Sequence, residues 1–366
     1  MAEAAPASAI PVILLTGFLG AGKTTLLSRL VRDPRFSDTA VIINEFGDVA
    51  LDHLLVEGVP DDMTIEVTSG CLCCTVRGDI RRALLMLHYR SEQGELPLFT
   101  RLVIETTGLA DPAPVIQTLM HDYQLARLYQ LAAVVTVVDA VNGFATINNH
   151  FEAKKQVAIA DRLVITKVDT VLGRVGQPKL VAMLRGLAPG AVLFDAEAPD
   201  LDLGLIFNDA RIFDEKAKPQ VVLDWLAAEK HEEIHADRHR HGHHLQEEHT
   251  HDVNRHSADI RAFCLTIDRP MEAASFALAI ELLAANQGAD LLRVKGLVAI
   301  DEYPDRPVVV HMVQHMLHAP VRLNTWPSDD KRSRLVFITR NIDPESIARF
   351  FDSWTRVERT HLASTE

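Results

Sequence analysis

The sequence predicts an α/β domain built on a mostly parallel sheet, followed by a smaller α+β domain. Three observations carry that reading. Through the first half, short apolar β-branched runs alternate with amphipathic stretches, the pattern of consecutive βαβ units. The first of these runs passes straight into a glycine-rich turn and then a helical stretch. Beyond residue 260 the order changes to strand, helix, three strands and a closing helix. With 366 residues the chain has room for two cores. The expected boundaries are 1–216, 217–259 and 260–366.

In order, Ile10–Thr16 reads as a buried strand and Thr24–Val31 as the amphipathic helix behind it. Val41–Asn44, Leu102–Glu105, Val134–Val138 and Leu163–Thr166 are further strands, and Val192–Asp195 adds one more. The alternation fades after about residue 216. Residues 229–259 differ in composition, with eight acids, four bases and nine histidines: His231, His235, His239, His241, His243, His244, His249, His251 and His256. So few apolar residues cannot bury a core, so the segment is expected as a linker or loop. Ile260–Ile267 then reads as a strand and Met271–Asn286 as a helix. Val294–Ile300, Val308–Leu317 and Leu335–Thr339 read as strands, and Pro344–Trp354 as the closing helix. No internal repeat is visible.

Composition narrows the function classes. At 48% hydrophobic and 24% charged, the chain is neither disordered nor a disulfide scaffold. A net charge of −13 argues against a nucleic-acid backbone binder. The longest strongly apolar stretch, Leu131 to Val138, is far short of the roughly 20 residues of a membrane helix. The N-terminus lacks a basic region, and the few clustered cysteines fit a reducing compartment. The expectation is a soluble cytoplasmic protein with no nucleic-acid and no membrane partner.

The glycine-rich turn is Gly17-Phe18-Leu19-Gly20-Ala21-Gly22-Lys23-Thr24, an ungapped match to G-x-x-x-x-G-K-[ST] between a strand and a helix. Its backbone N–H groups and the helix N-terminus suit a β-phosphate. Lys23 is placed to reach the β- and γ-phosphates, and the Thr24 hydroxyl to ligate Mg²⁺. The first domain is therefore expected to be a P-loop NTPase. Glu105 ends an apolar strand, where the Mg²⁺-associated carboxylate of such a protein belongs, and Gly108 follows where a backbone N–H senses a γ-phosphate. Thr166-Lys167-Val168-Asp169 resembles the guanine-reading N-K-x-D element. Asp169 can accept from guanine N1 and N2, while Thr166 replaces the usual Asn.

Between these pieces lies Ser69-Gly70-Cys71-Leu72-Cys73-Cys74-Thr75. Three thiolates this close suit one soft or borderline ion. Zn²⁺ takes four ligands, so a position remains for water, another side chain or a partner's ligand. A redox pair or small buried residues are the other readings of this cluster. Cys264, in an apolar run, reads as core.

These motifs in this order resemble the CobW family of metal-related P-loop GTPases, relatives of the HypB and UreG metal-insertion proteins. GFLGAGKTT at 17–25, NEFG at 44–47, SGCLCC at 69–74, ETTGLADP at 105–112 and TKVD at 166–169 carry the resemblance. LLRVKG at 291–296 and SRLVFITR at 333–340 look like the family's C-terminal module. The resemblance implies a GTPase that hydrolyses GTP slowly and handles Zn(II), or Co(II), for a client apo-metalloprotein; a homodimer is a further partner to consider. It places Gly17, Gly20, Ala21, Gly22, Lys23, Thr24 and Thr25 on the nucleotide, with Gly108, Thr166, Lys167 and Asp169 completing the contacts. Lys23, Thr24 and Glu105 are the expected catalytic set. Cys71, Cys73 and Cys74 match the metal motif, and Glu45 is a further oxygen ligand in the first switch segment. Asp48 and Asp52 are either outer contacts to Mg²⁺ through water or solvated loop acids. The His-rich stretch reads as a metal-capturing element or as a solvated linker. On Val308–Leu317, His311 and His315 are expected on one face with His318 opposite, as exposed sheet residues. A P-loop kinase or ATPase with a structural zinc site, and a non-catalytic zinc buffer, are the competing functions.

Overall fold

The protein is described by a computed structural model over residues 9–44, 64–66, 75–208, 233–235 and 260–355. Contacts divide the chain into two units, one ending at Arg211 and the other beginning at Ile212.

The strands of the first unit are β1 (Ile10–Gly17), β2 (Thr39–Asn44), β3 (Thr64–Glu66), β4 (Arg101–Thr106), β5 (Tyr129–Asp139), β6 (Arg162–Thr166) and β7 (Val192–Asp195). They form one sheet in the order β3-β2-β4-β1-β5-β6-β7. Every pairing is parallel. Parallel strands need crossover connections, and helices on both faces bury them, which explains their unbroken apolar runs. On one face Ile13, Leu15, Val103, Val135, Val137 and Val164 pack against Leu26, Leu27 and Leu30 of helix Lys23–Arg32 and against Ile206 and Phe207. The alternate residues Val12, Leu14, Leu102, Ile104 and Val134, all at 0% exposure, point the other way by the period-two alternation of a strand.

The second unit has strands β8 (Glu233–His235), β9 (Ile260–Ile267), β10 (Leu291–Val298), β11 (Val308–Val313), β12 (Met316–Leu317), β13 (Val321–Arg322) and β14 (Ser333–Arg340). The sheet order is β12-β11-β10-β14-β9-β8, with β13 on β11. It is antiparallel except for β8 on β9. Helices Ala273–Gln287 and Pro344–Thr355 cover one face, where Phe263 stacks on its cross-strand partner Phe337 at 5.3 Å. Cys264 is buried in β9, on the alternate face.

Two expectations are corrected here. The segment expected as a linker or loop contributes β8: Glu233, Ile234 and His235 pair with Cys264, Leu265 and Thr266. Backbone pairing to an open sheet edge needs no apolar side chains, so composition does not reveal it. The rest of the His-rich stretch lies outside the described residues. The run Val308–Leu317 is a hairpin and not one strand, because the chain reverses at Gln314, φ 54°. The reversal stacks His318 on His311, centroids 4.3 Å and planes 11° apart, with His311 2% exposed and His315 out in the turn.

Candidate functional site

Five parallel strands deliver their carboxyl ends to one edge, the side of an open α/β sheet where ligands bind. β1 runs into the glycine-rich loop, β4 ends beside Glu105, β5 at Asp139, β6 at Thr166 and β7 at Asp195. Register aligns them, with Leu15 opposite Glu105, Gly17 opposite Val137 and Asp139 opposite Thr166.

The loop needs its glycines. Gly17 has φ 143°, and a Cβ there would sit 2.4 Å from the carbonyl oxygen of Val137, so β5 can lie close under the turn only with glycine at this position. Gly20 and Gly22 also take positive φ, 71° and 99°. Helix Lys23–Arg32 begins directly after Gly22, so its first N–H groups face the loop's concavity. Lys23 is 8% exposed, and its Nζ donates to the carbonyls of Gly17 at 2.9 Å and Phe18 at 3.3 Å. The Thr24 hydroxyl donates to Glu105 Oε1 at 3.3 Å, and Glu105 is 6% exposed. A hydroxyl beside a carboxylate is a hard oxygen donor set, which suits Mg²⁺. Ala21 is buried and Thr25 exposed on the helix.

Gly108 lies against the loop. A Cβ there would stand 2.5 Å from Leu19 N and 2.7 Å from Leu19 Cα. Backbone therefore meets backbone between the segment after β4 and the phosphate loop. Below them, the hydroxyls of Thr106 and Thr16 are 2.9 Å apart and buried.

On the other flank Thr166 donates from its hydroxyl to Ala21 O at 2.7 Å. Lys167, at φ 59°, donates from Nζ to Gly20 O at 2.9 Å and pairs with Asp139 Oδ2 at 2.7 Å. Thr166 and Lys167 thus both tie β6 to the phosphate loop. Asp169 is exposed on the same loop, where its carboxylate is open to a ligand. β7 adds a neighbouring loop, fastened to the first helix by Arg29 Nη1 donating to Ala196 O at 2.5 Å.

Sequence reasoning missed Asp139. Burial pushes its carboxyl pKa up, but hydrogen bonds from Lys167, Asn142 and the backbone of Val141 and Asn142 outweigh that and hold it below the usual carboxylate range. The signal available was an acid ending the longest apolar run, the same pattern that picked out Glu105. Cys71, Cys73, Cys74 and Glu45, with Asp48 and Asp52, lie outside the described residues. Among the described residues no group of three or more His, Cys, Asp or Glu side chains is arranged to hold a metal ion. Nor is any helix there long and apolar enough to cross a membrane.

Comparison with known proteins gives the same order of parts. The CobW/HypB/UreG nucleotide-binding domain matches residues 11–194, and the C-terminal domain of the cobalamin synthesis protein cobW matches residues 260–355. The zinc chaperone YjiA of Escherichia coli is 33% identical over 343 residues, covering 93% of this chain and 98% of that protein. The zinc chaperone CobW of Pseudomonas aeruginosa is 29% identical, covering 93% and 90%. A crystal structure of Zn(II)-bound YjiA GTPase from E. coli superposes with a TM-score of 0.68 at 28% identity, covering 95% of this chain and 99% of that one.

Proposed function

Because this chain belongs to the CobW/HypB/UreG family, we propose that it is a GTP-hydrolysing zinc metallochaperone that delivers its ion to a client apo-metalloprotein in the cytoplasm. The observation that carries the nucleotide half is the glycine-rich loop that Lys23 closes over, with the Thr24 hydroxyl behind it bonded to Glu105 of β4. The zinc half rests on the Cys71, Cys73, Cys74 motif and on relatives that are zinc chaperones.

In this reading the phosphate loop binds the GTP phosphates through backbone N–H groups, and Lys23 leaves the Gly17 and Phe18 carbonyls for the β- and γ-phosphate oxygens. Thr24 and Glu105 hold Mg²⁺, which neutralises charge on the phosphates. Phosphoryl transfer to water needs positioning and charge stabilisation more than covalent chemistry, and these residues supply both. Asp169 accepts from guanine N1 and N2, while Thr166 and Lys167 keep its loop against Ala21 and Gly20.

The metal cargo, Zn(II) or Co(II), binds Cys71, Cys73 and Cys74 with Glu45 as an oxygen ligand. In sequence these lie between the phosphate loop and Glu105, so the γ-phosphate that orders the switch segments also assembles the thiolate site. Hydrolysis relaxes the site and releases the ion. Linkage requires the metal to tighten GTP by the factor by which GTP tightens the metal. Zn²⁺ titrations in Mg²⁺ with a non-hydrolysable GTP analogue and with GDP test this, and equal affinities would sink the coupling. The nine histidines of 231–256 feed the site as loose imidazole ligands. Deleting 239–256, which leaves β8 in place, should lower bound-metal stoichiometry and spare GTP hydrolysis; unchanged stoichiometry would defeat the feeding role.

A further inference from the structure

Helix Phe151–Ala158 touches both halves of the nucleotide site through side chains that the reading above leaves unused. At its start His150 packs against Phe18 of the phosphate loop, ring centroids 4.6 Å apart and planes tilted by 31°. Near its end Gln156, 1% exposed, accepts from the Thr136 hydroxyl of β5 at its backbone carbonyl, 2.8 Å. Its side-chain Nε2 donates to Gly108 O at 3.2 Å and to Ala110 O at 3.1 Å. The adjacent Lys155 Nζ pairs with Asp111 Oδ2 at 2.5 Å. Three of the four residues Gly108–Asp111 are thereby fastened to two consecutive residues of one helix.

The orientation of the Gln156 amide is fixed by those two carbonyls, since a flip would set Oε1 against both of them. Its Oε1 meanwhile has no hydrogen-bond partner among the described residues, although the atom is buried. Gln156 also lines a cavity shared with Phe18–Ala21 of the phosphate loop and the end of β5. Packing alone would favour an apolar side chain at such a position, because a buried unsatisfied amide oxygen is unfavourable. What the glutamine adds is the double hold on the loop that carries Gly108.

We propose that Gln156, assisted by the Lys155–Asp111 pair, is the positioning residue that sets the preference for GTP over GDP. Gly108 is confined between Leu19 on one side and Gln156 on the other, so its backbone meets a third phosphate already in place. GDP lacks that phosphate and is indifferent to the hold. With the hold cut, the loop must be ordered each time GTP binds, and GTP alone bears that entropy. The proposal rests on the GTPase reading, and the experiment separates the two.

The variant is Gln156→Met, which keeps the volume and the burial while removing both donors. In the full-length protein with Mg²⁺, affinity for a non-hydrolysable GTP analogue should fall about tenfold and GDP affinity should stay within about twofold. Amide exchange of the 107–112 peptide, measured without nucleotide, should quicken while that of the 17–24 peptide does not. Lys155→Met should act in the same direction and more weakly, which keeps the test alive if the methionine variant folds poorly. Equal weakening of both nucleotides, or faster exchange with an unchanged GTP-to-GDP ratio, would overturn the proposal. A wild-type chain that binds neither nucleotide defeats the GTPase reading and the discrimination with it, whereas unchanged exchange removes the hold by itself.

Discussion

Gly108→Ala adds one methyl group at the tightest contact of the site. The new Cβ would lie 2.5 Å from Leu19 N, 2.7 Å from Leu19 Cα and 2.7 Å from Leu19 Cδ2, where ordinary contact begins at 3.4 Å. The two segments must part by about 0.9 Å, and two of the three clashing atoms are backbone that no rotamer change can move aside. If the Gly108 segment moves, it strains two hydrogen bonds from Gln156, each worth about 0.5–1.5 kcal/mol. If the phosphate loop moves, the bed of the phosphates is distorted. In both cases Gly108 leaves its place by close to the 1 Å that costs about 10²-fold in rate. Steady-state phosphate release should therefore fall about 10²-fold. Overpacking should also lower stability by about 1–3 kcal/mol in a denaturant melt. A turnover number within about threefold of wild type would refute the reasoning, because the contact would then have no bearing on the reacting phosphate.

Lys23→Ala should abolish GTP hydrolysis and weaken nucleotide binding with the melting curve little changed, and measurable turnover would remove Lys23 from the mechanism. Asp139→Asn keeps the caps on Val141 and Asn142 but loses the Oδ2 acceptor of both Lys167 Nζ and Asn142 Nδ2; with the Lys167 side chain 42% exposed, the loss should be about 1–2 kcal/mol. The Asp139 pKa is lowered from 3.8, so its stabilisation is complete above that value and is lost as pH falls through the lower folded value. Urea melts of wild type and variant should accordingly differ by a constant amount at neutral pH and converge in strong acid; a gap that widened on acidification would contradict this sign. Thr166→Asn should raise GTP-over-ATP selectivity by adding a side-chain amide beside the base, and a selectivity ratio that fell would show that the Thr166–Ala21 hydrogen bond matters more. Leu265→Ala, at a position with 0% exposure in the second unit's core, should cost about 2–5 kcal/mol in a denaturant melt.

The parts of the site legible in the sequence are those whose physics is local. Strand, loop and helix around Gly17–Thr24 follow from a β-branched run, three glycines and an amphipathic repeat within 23 positions, Ile10 to Arg32. Glu105 was legible because a charge ends an apolar strand. Asp139 obeys the same rule, but its meaning depends on Lys167, 28 residues later, and no local pattern joins them. Gln156 was harder still, because its bonds to Gly108 and Ala110 reach back 48 and 46 residues. In the second unit β9, β14 and the two helices were read from periodicity. The hairpin at Gln314 was not, because a non-glycine residue at positive φ carries no punctuation in the sequence. β8 escaped for a related reason, since edge pairing uses backbone groups that every residue has.

The parallel order of the first sheet also sets when the site can exist during synthesis. The phosphate loop leaves the ribosome before its partners, because its ties reach Glu105, Thr166 and Lys167, at separations of 81, 145 and 147 residues. At about 5–20 residues per second, β6 follows the loop by roughly 7–30 s. During that interval the glycine-rich turn is a long-lived, unbraced end of β1, and such non-local pairing is slow to form. Nucleotide binding competence thus waits until β6 has been made. The ligand, once it binds, rewards the completed sheet over every partly assembled one.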